Sequence, residues 1–196
     1  MSTAVDYDRI YKDILKAELV PAFGCTEPIA VALCAAKARE VLGKEPDYIL
    51  IEASGNIIKN VKSVIVPNTN GLKGMQAAAA AGVVAGKAEL ELEVISTLSE
   101  ADKHNTAAYL EKTTIDVKAL SSDEKLDLVI TVKSGDDTAS ARIARSHANF
   151  VHIEKNGEVL HHKDLPKTLG GSGGKEHLTV EQIIEFADNT DLEEIR

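Results

Sequence analysis

Tryptophan is absent from the 196 residues, aromatics make up 4%, and there are only two cysteines and five prolines. So few aromatic rings exclude a stacking platform for single-stranded nucleic acid, which relies on ring faces. Two cysteines cannot make a disulfide framework. Cys25 and Cys34 also stand too far apart to pair. With helix expected from Glu27 to Leu42, about 1.5 Å of rise per residue separates them by roughly 13 Å, whereas a disulfide needs Cα atoms within about 7 Å. No apolar run reaches the ~18 residues of a membrane span. Met1-Ser2-Thr3-Ala4-Val5-Asp6 lacks the basic start and apolar stretch of a secretion signal, so a cytoplasmic protein is expected. Positive charge is scarce: 22 basic residues face 31 acidic ones, a net charge of −9. That balance argues against a nucleic-acid or anionic-membrane partner, because neutralising phosphates takes clustered Lys and Arg.

What is present fits a globular chain of one or two domains, with 44% hydrophobic and 27% charged residues. Tyr7, Ile10, Tyr11, Ile14, Leu15 and Leu19 recur at helical spacing, and Pro21 ends that helix. Thr26 is the expected N-cap of a second helix, with Pro28 in its first turn and Gly43 at its close. Its Ala-rich segment is apolar on most sides, which predicts a buried helix. Strands are expected at Asp47–Ala53 and Asn60–Val66, with Ser54-Gly55-Asn56 turning between them. A helix from Leu72 to Gly86 carries an uninterrupted Ala77–Ala81 run, small enough for a second helix to approach closely.

Leu90, Leu92 and Val94 alternate with acidic residues, predicting a half-exposed strand. Ser99 is placed to cap a helix through Leu110. Strand-like stretches follow at Thr114–Leu120, Leu126–Lys133 and Ala139–Glu154, and Asn156-Gly157 signals a tight hairpin before Glu158–His161. Gly170-Gly171-Ser172-Gly173-Gly174 has linker composition, and a last helix begins near Thr179 with Val180, Ile183, Ile184 and Ala187 on one face. The expected fold is α+β: a helical domain from both chain ends with an inserted β-α-β-β-β sheet domain. The boundaries are 1–87 for the N-terminal helical part, 88–162 for the insert, 163–178 for the linker and 179–196 for the start of a C-terminal helical part. The last helix has nothing after it to pack on, which suggests a missing continuation.

Cys25 is the most suggestive single residue. It precedes a helix N-terminus, whose partial positive charge favours a thiolate, and it lies in a glycine-containing loop of the kind that carries function; an ordinary thiol is the plain alternative. Cys34, inside the Ala-rich helix, reads as a small hydrophobe. Asn56, Lys59 and Asn60 cluster around one turn, and Asn68 and Thr69 precede a helix start whose backbone N–H groups suit a carboxylate. Plain turn chemistry explains the same residues. The six histidines do not spell a zinc site: His147 and His152, and likewise His161 and His162, sit at odd spacings and so oppose each other across a strand. The Gly-Gly-Ser-Gly-Gly-Lys run is not a phosphate loop, because Gly170 and Gly174 have the wrong spacing and Glu176 stands where a magnesium-binding hydroxyl is needed.

The string Pro21-Ala22-Phe23-Gly24-Cys25-Thr26-Glu27-Pro28-Ile29-Ala30 resembles the hallmark of the L-cysteine desulfidase family, relatives of the L-serine dehydratase alpha chain. Ser54-Gly55-Asn56 with Lys59-Asn60, Val66-Pro67-Asn68-Thr69, Ser146-His147-Ala148-Asn149-Phe150-Val151, Glu154-Lys155-Asn156-Gly157, Leu178-Thr179-Val180 and Phe186-Ala187 extend the match over almost the whole chain, the Gly/Ser run excepted. The resemblance implies an iron–sulfur lyase with a [4Fe–4S] cluster. Such enzymes convert L-cysteine to pyruvate, ammonia and sulfide, or L-serine to pyruvate and ammonia, by β-elimination. Cys25 then matches the N-terminal cluster ligand, with a catalytic thiol role also open, and Asn56, Lys59, Asn60, Asn68 and Thr69 line the cleft for a small amino acid.

Members of that family are longer, with their other cluster cysteines in a C-terminal half. A cluster takes three or four thiolates, so the chain resembles a truncated N-terminal portion, expected to lack the cluster and activity on its own. Its expected partners are that C-terminal half or further copies of itself. The competing reading is a non-catalytic fragment or a module binding a small molecule or partner. A pyridoxal-phosphate lyase with Lys59 as Schiff base is disfavoured, because no phosphate-binding loop follows a strand in the right place.

Overall fold

The computed structural model describes residues 6–165 and 174–195. The chain divides into two compact units: Ala22–Asp164, and the described parts of Met1–Pro21 and Leu165–Arg196. The architecture is α+β, an insert between two end-derived helical segments, as expected. The insert is larger than the sequence indicates, and Gly170–Gly173 lie outside the described residues.

In the Ala22–Asp164 unit, helix α2 (Thr26–Leu42) is the central element. It packs against the sheet on one side and against helix α4 (Gly74–Ala85) on another. An apolar surface all round is what such a double-faced position requires. Pro28 to Ala36 are all buried, and Gly43 ends the helix in the left-handed region at φ 83. Gly82 sets the α2–α4 distance: a Cβ built on it would lie 2.1 Å from the carbonyl oxygen of Ala32. Strand β1 (Tyr48–Ala53), helix α3 (Gly55–Val61) and helix α5 (Glu100–Lys112) complete the first half. Ser99 caps α5 in a reciprocal box with Asp102.

Five further strands follow: β2 (Thr114–Ala119), β3 (Asp127–Ser134), β4 (Asp137–Ala144), β5 (Phe150–Lys155) and β6 (Glu158–His162). They form one six-stranded sheet in the order β2-β1-β3-β4-β5-β6. Only the β1–β2 pair is parallel. Alternate residues Ile49, Ile51, Leu128, Ile130, Val132, Ala141 and Ile143 are buried, and each large aliphatic side chain withdrawn from water contributes about 1.5–3 kcal/mol. The β5–β6 turn uses Asn156 (φ 51) and Gly157 (φ 83), the two positive angles a tight hairpin demands.

Four local expectations and one boundary are corrected. Residues 60–66 are not a strand: α3 buries Ile57 and Val61, an i, i+4 pair hidden among β-branched residues. Residues 90–96 are not a strand either. Ala88–Glu93 is a 3-10 segment interrupted at Glu91 (φ 47), and it closes hydrogen bonds locally, Leu90 N–H donating to Lys87 O and Lys87 N–H to Val94 O, both at 3.0 Å. The 139–154 stretch is two strands joined by residues 145–149. Cys25, rather than Thr26, occupies the N-cap of α2. The unit boundary falls at Ala22 and not near residue 88, because β1 sits between β2 and β3 and α2 shares their core.

In the other unit, helix α1 (Tyr7–Glu18) packs against helix α6 (Val180–Asn189). Tyr11 is the anchor: its hydroxyl donates to His177 O at 2.7 Å, and its ring meets Phe186 edge-on at 5.3 Å. Thr179 caps α6 through Gln182 N–H. Val180, Ile183 and Ile184 remain exposed on that helix. Among the described residues no helix is long and apolar enough to cross a membrane.

Candidate functional site

Two chain segments far apart in sequence meet at the N-terminus of α2, and a third lies within electrostatic reach of it. The first is the loop 22–25. Phe23 N–H donates to Leu92 O at 3.0 Å, which ties the loop to the 3-10 segment. Gly24 has φ +92, and a Cβ there would lie 2.8 Å from Pro67 Cγ. Only glycine meets both constraints without strain. The loop is thereby seated against the turn that begins at Pro67, and Cys25 follows with its side chain exposed.

Glu27, in the first turn of α2, is the hub. Cys25 Sγ donates to Glu27 Oε2 at 3.4 Å, Thr26 Oγ1 donates to the same oxygen at 3.3 Å, and Asn60 Nδ2 donates to Oε1 at 3.1 Å. Asn60 comes from α3, which starts where β1 ends. Ser54, just before α3, is buried and fixed by its N–H to Asp127 O and its Oγ to Lys125 O, both at 2.8 Å.

The third segment is the β4–β5 connection. Asn149 closes it, donating from Nδ2 to Ala144 O at 2.8 Å while Ala144 N–H bonds Asn149 O at 3.2 Å. His147 lies in this loop, half-buried, and acts electrostatically on Glu27. Arg145 beside it has φ 70 and is held by Glu124 Oε1 at 2.9 and 2.7 Å.

The electrostatics follow from these contacts. Partial burial pushes the Glu27 carboxyl upward, but its own backbone N–H, the Cys25 thiol, the Asn60 amide and His147 outweigh that and hold it below its ordinary value. For Cys25 the balance is reversed. Partial burial and then the Glu27 carboxylate push the thiol up, with only the Glu27 backbone N–H pulling down. The thiolate expected from the helix dipole is therefore disfavoured by a carboxylate two residues along. Cys34 is fully buried, donates to Ala141 O at 3.2 Å, and is pushed far up by desolvation. It behaves as the expected hydrophobe.

Of the residues singled out in the sequence, Cys25 and Asn60 are brought together on Glu27. Asn56 and Lys59 share α3 with Asn60, Asn56 one turn before it and Lys59 next to it, and both are exposed. Asn68 and Thr69 direct their side chains to the chain itself. Asn68 Nδ2 faces the carbonyls of Ile95, Ser96 and Leu98 at 3.0, 3.2 and 3.4 Å. Thr69 is buried and donates to Val66 O at 2.7 Å. Nor do they abut a helix start: Ile65 bridges Lys73 across this loop, and α4 begins only at Gly74. Glu27 and His147 are the partners that residue-by-residue reading passed over, although both stand inside the strings that carry the family resemblance.

Among the described residues no group of three or more His, Cys, Asp or Glu side chains could hold a metal ion. No protein-family model matches the chain, and no solved structure matches it. It is 49% identical over 191 residues to a UPF0597 protein of Desulfitobacterium hafniense, covering 97% of this chain and 44% of that relative. Identity is 44% over 184 residues to a UPF0597 protein of Lachnoclostridium phytofermentans, covering 94% and 44%. It is 40% over 189 residues to one of Phocaeicola vulgatus, covering 93% and 42%. The chain thus spans less than half the length of these curated relatives, and the proteins it is similar to carry the name UPF0597.

Proposed function

We propose that this chain is the N-terminal part of an amino-acid lyase that carries out β-elimination on L-cysteine or L-serine. The observation that carries the reading is the hydrogen-bonded set of Cys25, Glu27 and Asn60, with His147 acting electrostatically on Glu27. A thiol, a carboxylate and an amide are joined by hydrogen bonds, with an imidazole in electrostatic reach, from segments that the family-like strings mark independently. In the reaction a base takes the Cα proton and sulfide or water departs. The remaining aminoacrylate then hydrolyses to pyruvate and ammonia. Glu27 and His147 are the groups at this place able to accept a proton. Lys59, with the amides of Asn56 and Asn60, has the donors to hold a substrate carboxylate. Asn68 and Thr69 shape the wall behind Cys25 by fixing their own loop.

A [4Fe–4S] cluster takes three or four thiolates, and Cys25 is the single exposed thiol of the two cysteines. These residues alone do not fit the cluster, so the remaining thiolates belong, on this reading, to the part of the longer relatives that the chain does not span. A cytoplasmic, reducing setting belongs to the same reading.

The test is anaerobic reconstitution with iron and sulfide, following absorbance near 400 nm and sulfide release from L-cysteine. The chain alone stays colourless and inactive, whereas a full-length relative carrying these residues gains both colour and turnover. A full-length relative that binds iron but eliminates neither amino acid overturns the lyase reading and leaves a binding module.

A further inference from the structure

The hairpin β5–β6 brings His152 and His162 directly opposite each other in register, a pairing that spacing along a single strand cannot reveal. Facing residues on paired strands have their Cβ atoms about 4.5–5.5 Å apart, and here the rings converge with Nδ1 to Nδ1 at 3.5 Å. The other nitrogen of each ring is already committed: His152 Nε2 lies 3.3 Å from Glu154 Oε2, and His162 Nε2 lies 3.2 Å from Asp164 Oδ1. An ionised carboxylate only accepts, so the tautomer that suits both contacts carries its hydrogen on Nε2, which leaves a lone pair on Nδ1 of each ring. In that tautomer the two lone pairs face each other across 3.5 Å, and a cation between them turns repulsion into bonding.

We propose that His152 and His162 form a two-histidine site for a borderline divalent cation of the zinc type, with water completing the coordination. Zinc–nitrogen bonds of about 2.0–2.1 Å at a tetrahedral centre put two ligand nitrogens roughly 3.4 Å apart, close to the observed separation. The carboxylates of Glu154 and Asp164 occupy the positions that orient metal-bound imidazoles and raise their basicity. Access is open, since β6 is the sheet edge and every residue in it is exposed. Two neighbouring cations are engaged elsewhere: Lys163 is turned to Asn149 Oδ1 at 2.8 Å, and Arg142, opposite His152 on β4, is held by Asp127 at 2.8 and 2.7 Å. His161 faces elsewhere, with Nε2 at 3.1 Å from Phe150 O, and takes no part. The site is independent of Cys25 and of the lyase reading.

The experiment is zinc titration of the full chain against a chromophoric competitor, in a Cys25→Ser background that removes the exposed thiol. Histidine side-chain nitrogen spectra are recorded alongside, and circular dichroism checks each variant's fold. One zinc per chain is expected, with the Nδ1 resonances of both histidines shifting together. His152→Asn and His162→Asn each weaken binding at least tenfold, Glu154→Gln about tenfold, and His161→Asn less than twofold. Absence of binding, binding unaffected by the first two variants, or a pair that only shares a proton and takes no zinc each overturns the proposal.

Discussion

Asn60 donates to the Glu27 carboxylate at 3.1 Å, so a residue of α3 holds the group that, after burial, raises the Cys25 thiol. Because the raised Cys25 value owes part of its shift to Glu27, Glu27→Gln lowers it. A lower value means a larger thiolate fraction at any pH below it, and the thiolate is the nucleophile. Iodoacetamide alkylation of Cys25 near pH 8 is therefore expected to run several-fold faster in Glu27→Gln, with its pH profile displaced to lower pH. Asn60→Ala leaves the carboxylate in place and gives no such acceleration. Cys34 is buried and does not confuse the measurement.

Gly82 lies against the backbone of Ala32 on the neighbouring helix, where a Cβ would sit 2.1 Å from the carbonyl oxygen. No rotamer change relieves a clash with backbone, so Gly82→Ala must force α2 and α4 apart. Overpacking of this kind costs about 1–3 kcal/mol and sometimes more. Gly55→Ala is the control, since nothing lies within 4 Å of its added Cβ. Urea denaturation should separate the two variants clearly.

Asp127 is fully buried and accepts from Arg142 Nε at 2.8 Å, Arg142 Nη2 at 2.7 Å and Ser122 Oγ at 2.6 Å. Removing one partner of a buried ion pair costs roughly 3–5 kcal/mol when the other is stranded. The Arg142 side chain is 38% exposed and can turn to water, so Asp127→Asn is expected at or below the lower end of that range. Equilibrium unfolding measures it. As Asp127 O also receives Ser54 N–H, the same variant tests whether the start of α3 depends on this pair.

The Ser99–Asp102 capping box satisfies two backbone N–H groups at the start of α5 reciprocally. Ser99 holds the Asp102 carboxyl below its ordinary value by its hydroxyl and then its backbone N–H. A depressed carboxyl contributes stability that is present above the unfolded aspartate value, about 3.9, and lost as pH falls through the lower folded value. The stability gap between wild type and Asp102→Ala is therefore expected in full at pH 7 and should narrow below about pH 4. Thermal melts at both pH values read it.

Much of this fold is legible in local pattern. The Ala-rich helices, the Ser99 cap, the Asn156-Gly157 hairpin and the Thr179 cap all follow from rules that act over four or five residues. What misleads is composition without context. Leu90, Leu92 and Val94 alternate like a strand, but β1 already has β2 and β3 on its two edges, and the segment closes its hydrogen bonds on itself. Ile57, Ile58 and Val61 are strand-formers by propensity, yet burial of 57 and 61 decides for helix. At the site, Cys25 and Asn60 are visible as chemistry-bearing residues. The Glu27 link between them, and the approach of His147 from the β4–β5 loop, exist only after the sheet has assembled. The His152–His162 pair has the same character, because strand register is not written in either strand alone.

Cys25 and His147 are expected to fail differently in the longer protein. If Cys25 supplies one thiolate of a cluster, its loss removes a ligand that burial cannot replace. Cys25→Ala in a full-length relative with the same strings should then lose both the absorbance near 400 nm and sulfide release. His147→Gln removes no thiolate, so the cluster absorbance should survive. Loss of a positioned proton acceptor costs about 10²–10⁴-fold in rate, and kcat should fall on that scale with KM for L-cysteine little changed. Separation of the two phenotypes, colour lost in one and retained in the other, distinguishes a ligand from a proton-transfer group at the same place. A His147→Gln enzyme with undiminished kcat removes His147 from the chemistry and leaves Glu27 as the proton acceptor. A coloured, active Cys25→Ala enzyme removes Cys25 from the metal centre altogether.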